Sequence, residues 1–313
     1  MKVPIIDARY VAVTYRSGPF WDQRVTHAVR AMTFEIAEGE TLGRVGESGS
    51  GKTTLGRLCL GLVPATAGAV LFDRQLIAPR HRPPAGKLSV VLQHPDWALN
   101  PRLSVGTSLG EPLAILGAVS RGERLAQARR ALEMVGLDAS FVGRFPHELS
   151  GGQRQRVAVA RALITEPRFI VFDEPVSALD VSVQTQVLNL IKDLQHQHGF
   201  AALFISHDLA ATRYVAHRIA VMYAGALMET GPAELFYRTP QHPYSRALSA
   251  AATQERREGV ALRGTAEDIS HKGCPLALRC PWSAERCREE PPELRQLTLG
   301  EVACHRAEEI ADA

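Results

Sequence analysis

The sequence predicts an α/β protein with a largely parallel β-sheet, and three observations lead to this fold class. Between residues 41 and 223, short apolar runs that suit buried strands alternate with segments of helical periodicity. A glycine-rich loop connects one of these strands to one of these helices. After about residue 231 the composition shifts to Pro, Cys, Arg and Glu with weak periodicity. We therefore predict a main domain over residues 1–231 and a C-terminal extension over residues 232–313.

The predicted elements follow one another along the chain. The predicted strands are 3–15, 29–36, 41–45, 169–172, 201–205 and 219–223. The predicted helices are 55–63, 126–135, 157–164 and 181–197, and the stretch from about 98 to 165 is expected to be mostly helical. Because strands alternate with helices, the connections are crossovers, which join parallel strands. No internal repeat is visible, so we expect one copy of the main domain.

The overall composition is that of an ordinary globular protein. Of 313 residues, 45% are apolar and 22% are charged, and the net charge is only +3, which predicts no nucleic-acid partner. No apolar run approaches the roughly 20 residues of a membrane-spanning helix. Pro4, Asp7 and Arg9 interrupt the apolar start that a secretory signal would need. We therefore expect a cytoplasmic protein, whose five cysteines are thiols or metal ligands rather than disulfides.

A glycine-rich segment, GESGSGKT at residues 46–53, matches the pattern GxxxxGK(S/T) between a predicted strand and a predicted helix. In that context backbone N–H groups surround the phosphates, and the helix start adds partial positive charge. Lys52 would contact the β- and γ-phosphates, and the Thr53 hydroxyl would bind Mg²⁺. A glycine-rich turn without nucleotide is the alternative, but the lysine, the hydroxyl and the flanking elements favour a nucleoside triphosphate site in a phosphate-loop (RecA-like) core. The predicted nucleotide-binding residues of this loop are Gly46, Glu47, Ser48, Gly49, Ser50, Gly51, Lys52, Thr53 and Thr54.

Two acidic residues follow the predicted buried strand 169–172. Asp173, at the strand end, is placed to hold the Mg²⁺ shell, and Glu174 is placed to polarise an attacking water as the general base. A solvated turn would show the same pair of acids. The phosphate loop upstream is what favours the catalytic interpretation.

The segment LSGGQRQR at residues 149–156 resembles the signature of the ABC transporter ATPases. The resemblance implies that Ser150, Gly151, Gly152 and Gln153 contact the γ-phosphate of ATP bound to the opposite subunit. It also implies that two such domains sandwich two ATP molecules. The implied fold adds an antiparallel β-subdomain and a helical signature subdomain, at about residues 98–160, to the parallel core.

Further residues fall at positions that match motifs of the same family. Gln93, in VVLQHP, is similar to the glutamine that senses the Mg²⁺ site, and is a predicted Mg²⁺ ligand and catalytic residue. Asp180, in SALD, is similar to the loop residue that communicates across the dimer, and His207, in ISHD, to the switch histidine that orders the attacking water. Two departures are Arg44, in an otherwise apolar strand, and His94, where the family usually has an acid. Neither removes a catalytic atom, so we expect activity.

Tyr15 is the residue that we predict to stack on the adenine ring. Three other aromatic residues lie near it in sequence, namely Tyr10, Phe20 and Trp21. Simple core packing of Tyr15 is the alternative.

Four longer tracts resemble one branch of the family, the importers of oligopeptides, dipeptides and nickel. These tracts are GESGSGKTTLGRLCLGL, QHPDWALNPRLSVG, FPHELSGGQRQRVAVARAL and DEPVSALDVSVQTQVLNL. The tracts TLGR and LNPRLSVG are more similar to the second of the two ATPase subunits in such systems.

The resemblance implies an ATP-hydrolysing subunit that energises import of dipeptides or oligopeptides. The implied partners are a sibling ATPase subunit, with a homodimer as the alternative, two integral membrane permease subunits and, indirectly, an extracytoplasmic substrate-binding protein. The implied location is peripheral, at the cytoplasmic face of the membrane. Nickel, a metallophore or another small solute is the alternative cargo, and a soluble ABC ATPase without a transport role is the alternative function.

The C-terminal extension contains four of the five cysteines, after the tract PQHPYS at residues 240–245. They are Cys274, Cys280, Cys287 and Cys304, with the spacing C-x5-C-x6-C-x16-C. This spacing differs from the C-x2-C pairs of common zinc modules. Four thiolates in one segment can hold a 4Fe–4S cluster, as in some members of this branch. A zinc site and unligated or disulfide-bonded cysteines are the alternatives, and Cys59 is expected to be a small core residue.

Overall fold

The computed structural model describes residues 3–19, 23–78, 81, 83–117, 119–252 and 261–311. The chain divides into two compact units. Unit 1 comprises Met1–Ile6, Ile36–Glu40 and Leu71–Phe204, and unit 2 comprises Asp7–Glu35, Thr41–Val70 and Ile205–Ala313. The predicted main domain is thus divided between the two units, whereas the C-terminal extension lies in unit 2. The predicted boundary between residues 231 and 232 stays a prediction.

The regular elements alternate along the chain as an α/β fold requires. The strands are β1 (Pro4–Ser17), β2 (Arg24–Ala37), β3 (Thr41–Val45), β4 (Ala67–Phe72), β5 (Gln75–Ile77), β6 (Leu88–Val91), β7 (Phe169–Asp173), β8 (Ala201–Ile205), β9 (Arg218–Tyr223), β10 (Ala226–Pro232), β11 (Arg295–Leu297) and β12 (Gly300–Val302). The helices are α1 (Lys52–Cys59), α2 (Val105–Leu116), α3 (Arg121–Met134), α4 (Gly151–Leu163), α5 (Val181–His198), α6 (Leu209–Val215), α7 (Ala233–Arg238), α8 (Pro243–Ala252), α9 (Glu285–Glu289) and α10 (Ala307–Ala311).

Unit 2 contains the strand that leads into the phosphate loop. β3 pairs in parallel with β9, with Val45 opposite Val221. β9 pairs antiparallel with β10, β10 with β12, and β12 with β11, so strands of the C-terminal extension continue this sheet. All five residues of β3 are buried, as expected for a strand of a parallel sheet that is covered on both faces. β2, β1 and β4 lie side by side in a second, antiparallel sheet.

Unit 1 contains the predicted motifs that lie between residues 71 and 204. Its strands lie in the order β8, β7, β6, and β6 pairs in parallel with β7. The Phe172 ring packs against the rings of Phe200 and Phe204, at 6.2 and 6.3 Å between centroids. The chain segment that connects β6 to β7 contains α2, α3 and α4, which pack against one another. This is the stretch predicted to be mostly helical.

The predicted fold class is confirmed, with shifts at the ends of several elements. α1 begins at Lys52 rather than at the predicted residue 55, because Gly51 of the loop is its N-cap. It ends at Cys59 rather than at the predicted residue 63. α4 begins six residues before the predicted 157, at the glycines that weaken its apolar periodicity. Within the described residues, no helix is long and apolar enough to cross a bilayer.

Candidate nucleotide site

The phosphate loop joins β3 to α1 in unit 2, and two of its glycines are required by their surroundings. Gly46 has a φ of 153°, and a Cβ there would lie 2.1 Å from the carbonyl oxygen of Met222. Gly51, the N-cap of α1, has a φ of 95°, and a Cβ there would lie 1.9 Å from the carbonyl oxygen of Ala28. The loop is therefore packed against the backbones of β2 and β9, where no side chain fits.

The ammonium group of Lys52 is held inside this loop. Its Nζ donates to the carbonyl oxygen of Gly46 at 2.7 Å, to that of Glu47 at 2.8 Å, and to Ser50 Oγ at 3.4 Å. The lysine is only 6% exposed, whereas Ser48, Gly49 and Thr53 are exposed and Thr54 is half-buried. A buried cation beside the exposed residues of a glycine-rich loop and a hydroxyl residue is the arrangement that binds polyphosphate.

His207 lies in unit 2 and directly follows Ser206, whose backbone is hydrogen-bonded to β3, the strand that leads into the phosphate loop. The N–H of Ser206 donates to the carbonyl oxygen of Arg44 at 3.1 Å. Asp208 caps α6 by accepting the N–H groups of Ala210 and Ala211, which fixes the turn that contains His207. The His207 side chain is exposed. Its predicted role at the γ-phosphate stays a prediction.

The departure at Arg44 lies in the core rather than on the surface. The side chain is fully buried, its Nη2 contacts Met32 Sδ, and its guanidinium lies 5.5 Å from the Phe34 ring centroid. Burial lowers the pKa of Arg44 to about 9 and raises that of the nearby Cys59 to about 12. The cation–π contact offsets part of the desolvation cost. Cys59 is buried, as predicted.

Tyr15 lies on β1 in unit 2 with 41% of its surface exposed, and Tyr10 is 74% exposed. The aromatic residues Phe20 and Trp21 lie outside the described residues. Stacking of Tyr15 on adenine therefore stays a prediction.

In unit 1, the predicted catalytic glutamine and glutamate contact each other. Gln93 Nε2 donates to Glu174 Oε2 at 3.2 Å. Glu174 follows the end of β7 with a φ of 50°, and its carbonyl oxygen accepts the N–H and the hydroxyl of Ser177. These bonds fix the left-handed turn at Glu174. Strand β7 thus presents two half-buried carboxylates at its end, as the sequence predicts.

The signature segment, residues 150–153, is closed by its own hydrogen bonds. Ser150 Oγ accepts the Gln153 N–H at 3.3 Å, and Gln153 Oε1 accepts the Ser150 N–H at 2.9 Å, which is a capping box at the start of α4. Because the Ser150 hydroxyl acts only as an acceptor in this pair, its own proton can be donated to a phosphate oxygen. A Cβ on Gly152 would lie 2.5 Å from Val183 Cγ1, so α4 packs closely against α5.

Asp180 is the exposed N-cap residue of α5. The turn before it is fixed by Gln184, whose Nε2 donates to the carbonyl oxygens of Val176 and Leu179, each at 3.0 Å. Asp180 is therefore presented on a rigid turn, and its role across a dimer stays a prediction.

The four cysteines of the extension line one small cavity in unit 2. All are free thiols and all are buried. Burial raises the pKa of Cys274 to about 12, that of Cys304 to about 11, and also that of Cys280. Among the described residues, no group of three or more potential ligands is arranged to hold a metal ion. The predicted 4Fe–4S cluster and the zinc alternative therefore gain no support from this arrangement, although the four thiols share one cavity.

Comparison with known proteins assigns the chain. Residues 29–177 match the family model described as ABC transporter, and residues 228–287 match the oligopeptide/dipeptide transporter C-terminal region. The chain is 48% identical over 290 residues to a protein of Brucella abortus whose name describes an ATP-binding protein of peptide import, covering 90% of this chain and 87% of that protein. The chain belongs to the ABC transporter family. As a member, it is an ATPase that acts on ATP with Mg²⁺.

Further relatives agree with this assignment. A similarly named protein of Brucella ovis is 46% identical over 316 residues, covering 97% of this ABC ATPase and 98% of that protein. The solved dimer of the ATP-binding cassette MJ0796 with ADP and Pi has a TM-score of 0.64 and 29% identity, covering 73% of this chain and 98% of that one. CbiO1 of Clostridium perfringens, at 24% identity and a TM-score of 0.64 over 75% of this chain and 91% of that one, shares the fold.

The motif residues of this ABC ATPase thus form two sets, the phosphate loop within unit 2 and the Gln93–Glu174 pair with the signature segment within unit 1. Sequence reasoning missed two residues that contact the loop. Tyr244 Oη accepts the Glu47 N–H, and Arg279 pairs with the Glu47 carboxylate. The tract PQHPYS, which contains Tyr244, was the available signal.

Proposed function

We propose that this ABC ATPase is the motor subunit of an importer of dipeptides and oligopeptides. One observation supports peptides as the cargo: residues 228–287 match the C-terminal region of oligopeptide/dipeptide transporters, in the same chain as the ATPase motifs. The names of the Brucella relatives support the same cargo. ATP hydrolysis would supply the energy, and the permease partners would provide the path.

In the proposed mechanism the loop binds phosphates through Lys52 and its backbone N–H groups. Glu174 then accepts a proton from the attacking water as the general base. Its carboxylate is oriented by the hydrogen bond from Gln93, so rotation of Gln93 would move the base. His207 is proposed to order the same water.

We propose Thr53, Asp173 and Gln93 as the Mg²⁺ ligands because each offers a hard oxygen donor, the kind of ligand that Mg²⁺ prefers beside several waters. A bound Mg²⁺ would neutralise charge on the β- and γ-phosphates. In this proposal Thr53 provides the hydroxyl next to Lys52, and Asp173 provides the carboxylate at the end of β7.

A complete site is proposed to need two ATPase subunits. The signature segment of one subunit would face the phosphate loop of the other, with Ser150 donating to the γ-phosphate and Asp180 contacting the neighbour. The partner is proposed to be a sibling ATPase, with a homodimer as the alternative. If the purified chain alone forms a stable ATP-dependent dimer with full activity, the sibling is unnecessary.

The subunit is proposed to sit at the cytoplasmic face of the membrane through two permease subunits, which an extracytoplasmic binding protein would supply with cargo. The test is uptake of a labelled dipeptide into vesicles that contain the reconstituted complex. Wild type should accumulate the dipeptide with ATP, and Glu174→Gln should bind ATP but hydrolyse it about 10²–10⁴ times more slowly. Uptake of nickel but not of peptides would overturn the cargo, and no uptake with intact ATPase activity would overturn the transport role.

The 4Fe–4S cluster is retained as a separate proposal, with Cys274, Cys280, Cys287 and Cys304 as its thiolate ligands. All four donors are soft thiols that line one cavity, but in the described residues they are not arranged to hold a metal ion, so the cluster would require them to move together. Protein purified without oxygen should be brown, should absorb near about 400 nm, and should contain about four iron atoms per chain. Colourless, iron-free protein would contradict the cluster.

A further inference from the structure

The C-terminal extension contacts the second residue of the phosphate loop at two points. The Glu47 N–H donates to Tyr244 Oη at 2.9 Å. Arg279 Nη1 donates to both carboxylate oxygens of Glu47, at 3.0 and 3.3 Å. One residue of the loop is therefore held through its backbone and through its side chain by residues far along the chain.

Both contacts come from buried side chains. Tyr244 is fully buried and Arg279 is 8% exposed, whereas about a third of the Glu47 side chain is exposed. Arg279 also donates to Tyr223 Oη at 3.3 Å, and the rings of Tyr223 and Tyr244 lie 4.8 Å apart. Burial raises the pKa of Tyr244 above its usual value, so the hydroxyl stays protonated and neutral. Partial burial makes the Arg279–Glu47 attraction stronger than that of a surface pair.

The position of Tyr244 is itself fixed by a buried network. The Glu229 carboxylate accepts the N–H groups of Gln241 and His242, at 3.0 and 2.8 Å. His242 Nδ1 accepts the Tyr244 N–H at 3.0 Å. Because the N–H groups of Gln241, His242 and Tyr244 all have acceptors, on Glu229 of β10 and on His242, the tyrosine hydroxyl has little freedom to move away from Glu47.

Glu47 in turn provides part of the lysine site. The Glu47 carbonyl oxygen accepts from Lys52 Nζ at 2.8 Å, next to the carbonyl oxygen of Gly46. A shift of the Glu47 backbone would therefore move the group that positions the ammonium of Lys52.

We propose that Tyr244 and Arg279 are positioning residues of the nucleotide site, which hold the phosphate loop in its ATP-binding shape through Glu47. This inference rests on the proposed nucleotide site at the loop. It gives the C-terminal extension a role in ATP binding in addition to any role of its cysteines. The alternative is that the two contacts only attach the extension to the rest of unit 2.

The test compares pairs of conservative variants in the full-length chain. Tyr244→Phe removes the hydroxyl that accepts from Glu47, and Arg279→Lys keeps the charge but removes the guanidinium. The matched controls are Tyr237→Phe, whose buried hydroxyl donates to the carbonyl oxygen of Leu209, and Arg295→Lys, whose guanidinium pairs with Glu308. The measured quantities are the Kd for ATP, the melting temperature and, in the assembled complex, KM and kcat.

Tyr244→Phe and Arg279→Lys should each weaken ATP binding about three- to tenfold, which is the value of one lost hydrogen bond. KM should rise with Kd, because the loop contacts ATP before and during hydrolysis. The two controls should lower the melting temperature without changing Kd.

A double-mutant cycle shows whether Arg279 acts through Glu47. Glu47→Gln should weaken ATP binding as much as Arg279→Lys does, and the double variant should be no weaker than either single variant. Fully additive losses would overturn the route through Glu47. If Tyr244→Phe fails to fold, Arg279→Lys and this cycle still decide the question.

The Lys52→Ala variant distinguishes a failure of the proposed nucleotide site from a failure of the positioning role of Tyr244 and Arg279. If Lys52→Ala and wild type bind ATP equally, the nucleotide site itself is wrong. If Lys52→Ala loses binding while Tyr244→Phe and Arg279→Lys match their controls in Kd, only the positioning role is wrong.

Discussion

The phosphate loop and the signature segment are both glycine-containing starts of helices, but different interactions hold them. The signature segment is closed within four residues by the reciprocal bonds of Ser150 and Gln153. The phosphate loop has no side-chain cap at Gly51. Instead it is enclosed by the backbones of β2 and β9 and bonded by Tyr244 and Arg279.

This difference separates a local from a remote source of rigidity. A capping box depends on residues three apart in the chain. The Glu47 contacts join residues 197 and 232 positions apart. We therefore expect the signature segment to respond to local substitutions, and the phosphate loop to respond also to substitutions in the extension.

The largest effect is expected at Gly51 in the loop. Gly51→Ala should lower the free energy of unfolding by roughly 3 kcal/mol or more, because a Cβ would strike the Ala28 carbonyl at an unfavourable φ. The control is Gly49→Ala, whose Cβ would meet no atom within 4 Å and which should cost only about 1–2 kcal/mol. Equal losses in urea unfolding would show that the loop is not enclosed by β2.

A fall in pH to 5 should lower the contribution of His242, which lies in the network behind Tyr244, to the free energy of unfolding by about 2 kcal/mol. Burial lowers the pKa of His242 from 6.5 to about 3, so the unfolded chain binds a proton that the folded chain does not. This stability is complete above pH 6.5 and is lost as the pH falls toward 3. Glu229, whose pKa burial raises, acts with the opposite sign.

The measurement is urea unfolding between pH 7.5 and pH 5, in wild type and in His242→Asn. Asparagine keeps an acceptor for the Tyr244 N–H but does not titrate. The difference between the two pH profiles isolates the histidine. Parallel profiles would contradict its buried neutral state.

In the signature segment, Gly152→Ala should cost about 1–2 kcal/mol net. The clash of the new Cβ with Val183 outweighs the gain in helix propensity. The matched control is Gly122→Ala in α3, where no atom lies within 4 Å and the change should instead stabilise. Adding Val183→Ala should recover part of the Gly152→Ala loss, and a failure to recover it would place the clash elsewhere.

The smallest stability effect is expected for Ser150→Ala, about 1 kcal/mol from the lost cap. Ser120→Ala removes the same kind of capping box from α3 and should cost the same. Only Ser150→Ala should also lower ATP hydrolysis, by about tenfold, since only this hydroxyl is proposed to contact phosphate. Equal hydrolysis by the two variants would remove Ser150 from the site.

The same contrast explains what the sequence could predict. Motifs whose geometry is local were predicted with their elements: the loop between β3 and α1, and the acids at the end of β7. The signature segment was predicted from its residues, but the start of its helix was predicted six residues too late. Tyr244 and Arg279 were not predicted, because no spacing rule relates an extension to a loop some 200 residues earlier. The depth of Arg44 was also undetermined, since a charge in an apolar strand is compatible with either face.

The 197 and 232 residues that separate Glu47 from its two anchors also determine when the loop can be completed. Ribosomes add about 5–20 residues per second, so Arg279 is synthesised roughly 10–50 s after Glu47. The capping box of α4 can close as soon as its own four residues have emerged. During synthesis, therefore, the signature helix can form early, whereas the loop acquires its two anchors only after residues 244 and 279 have been synthesised.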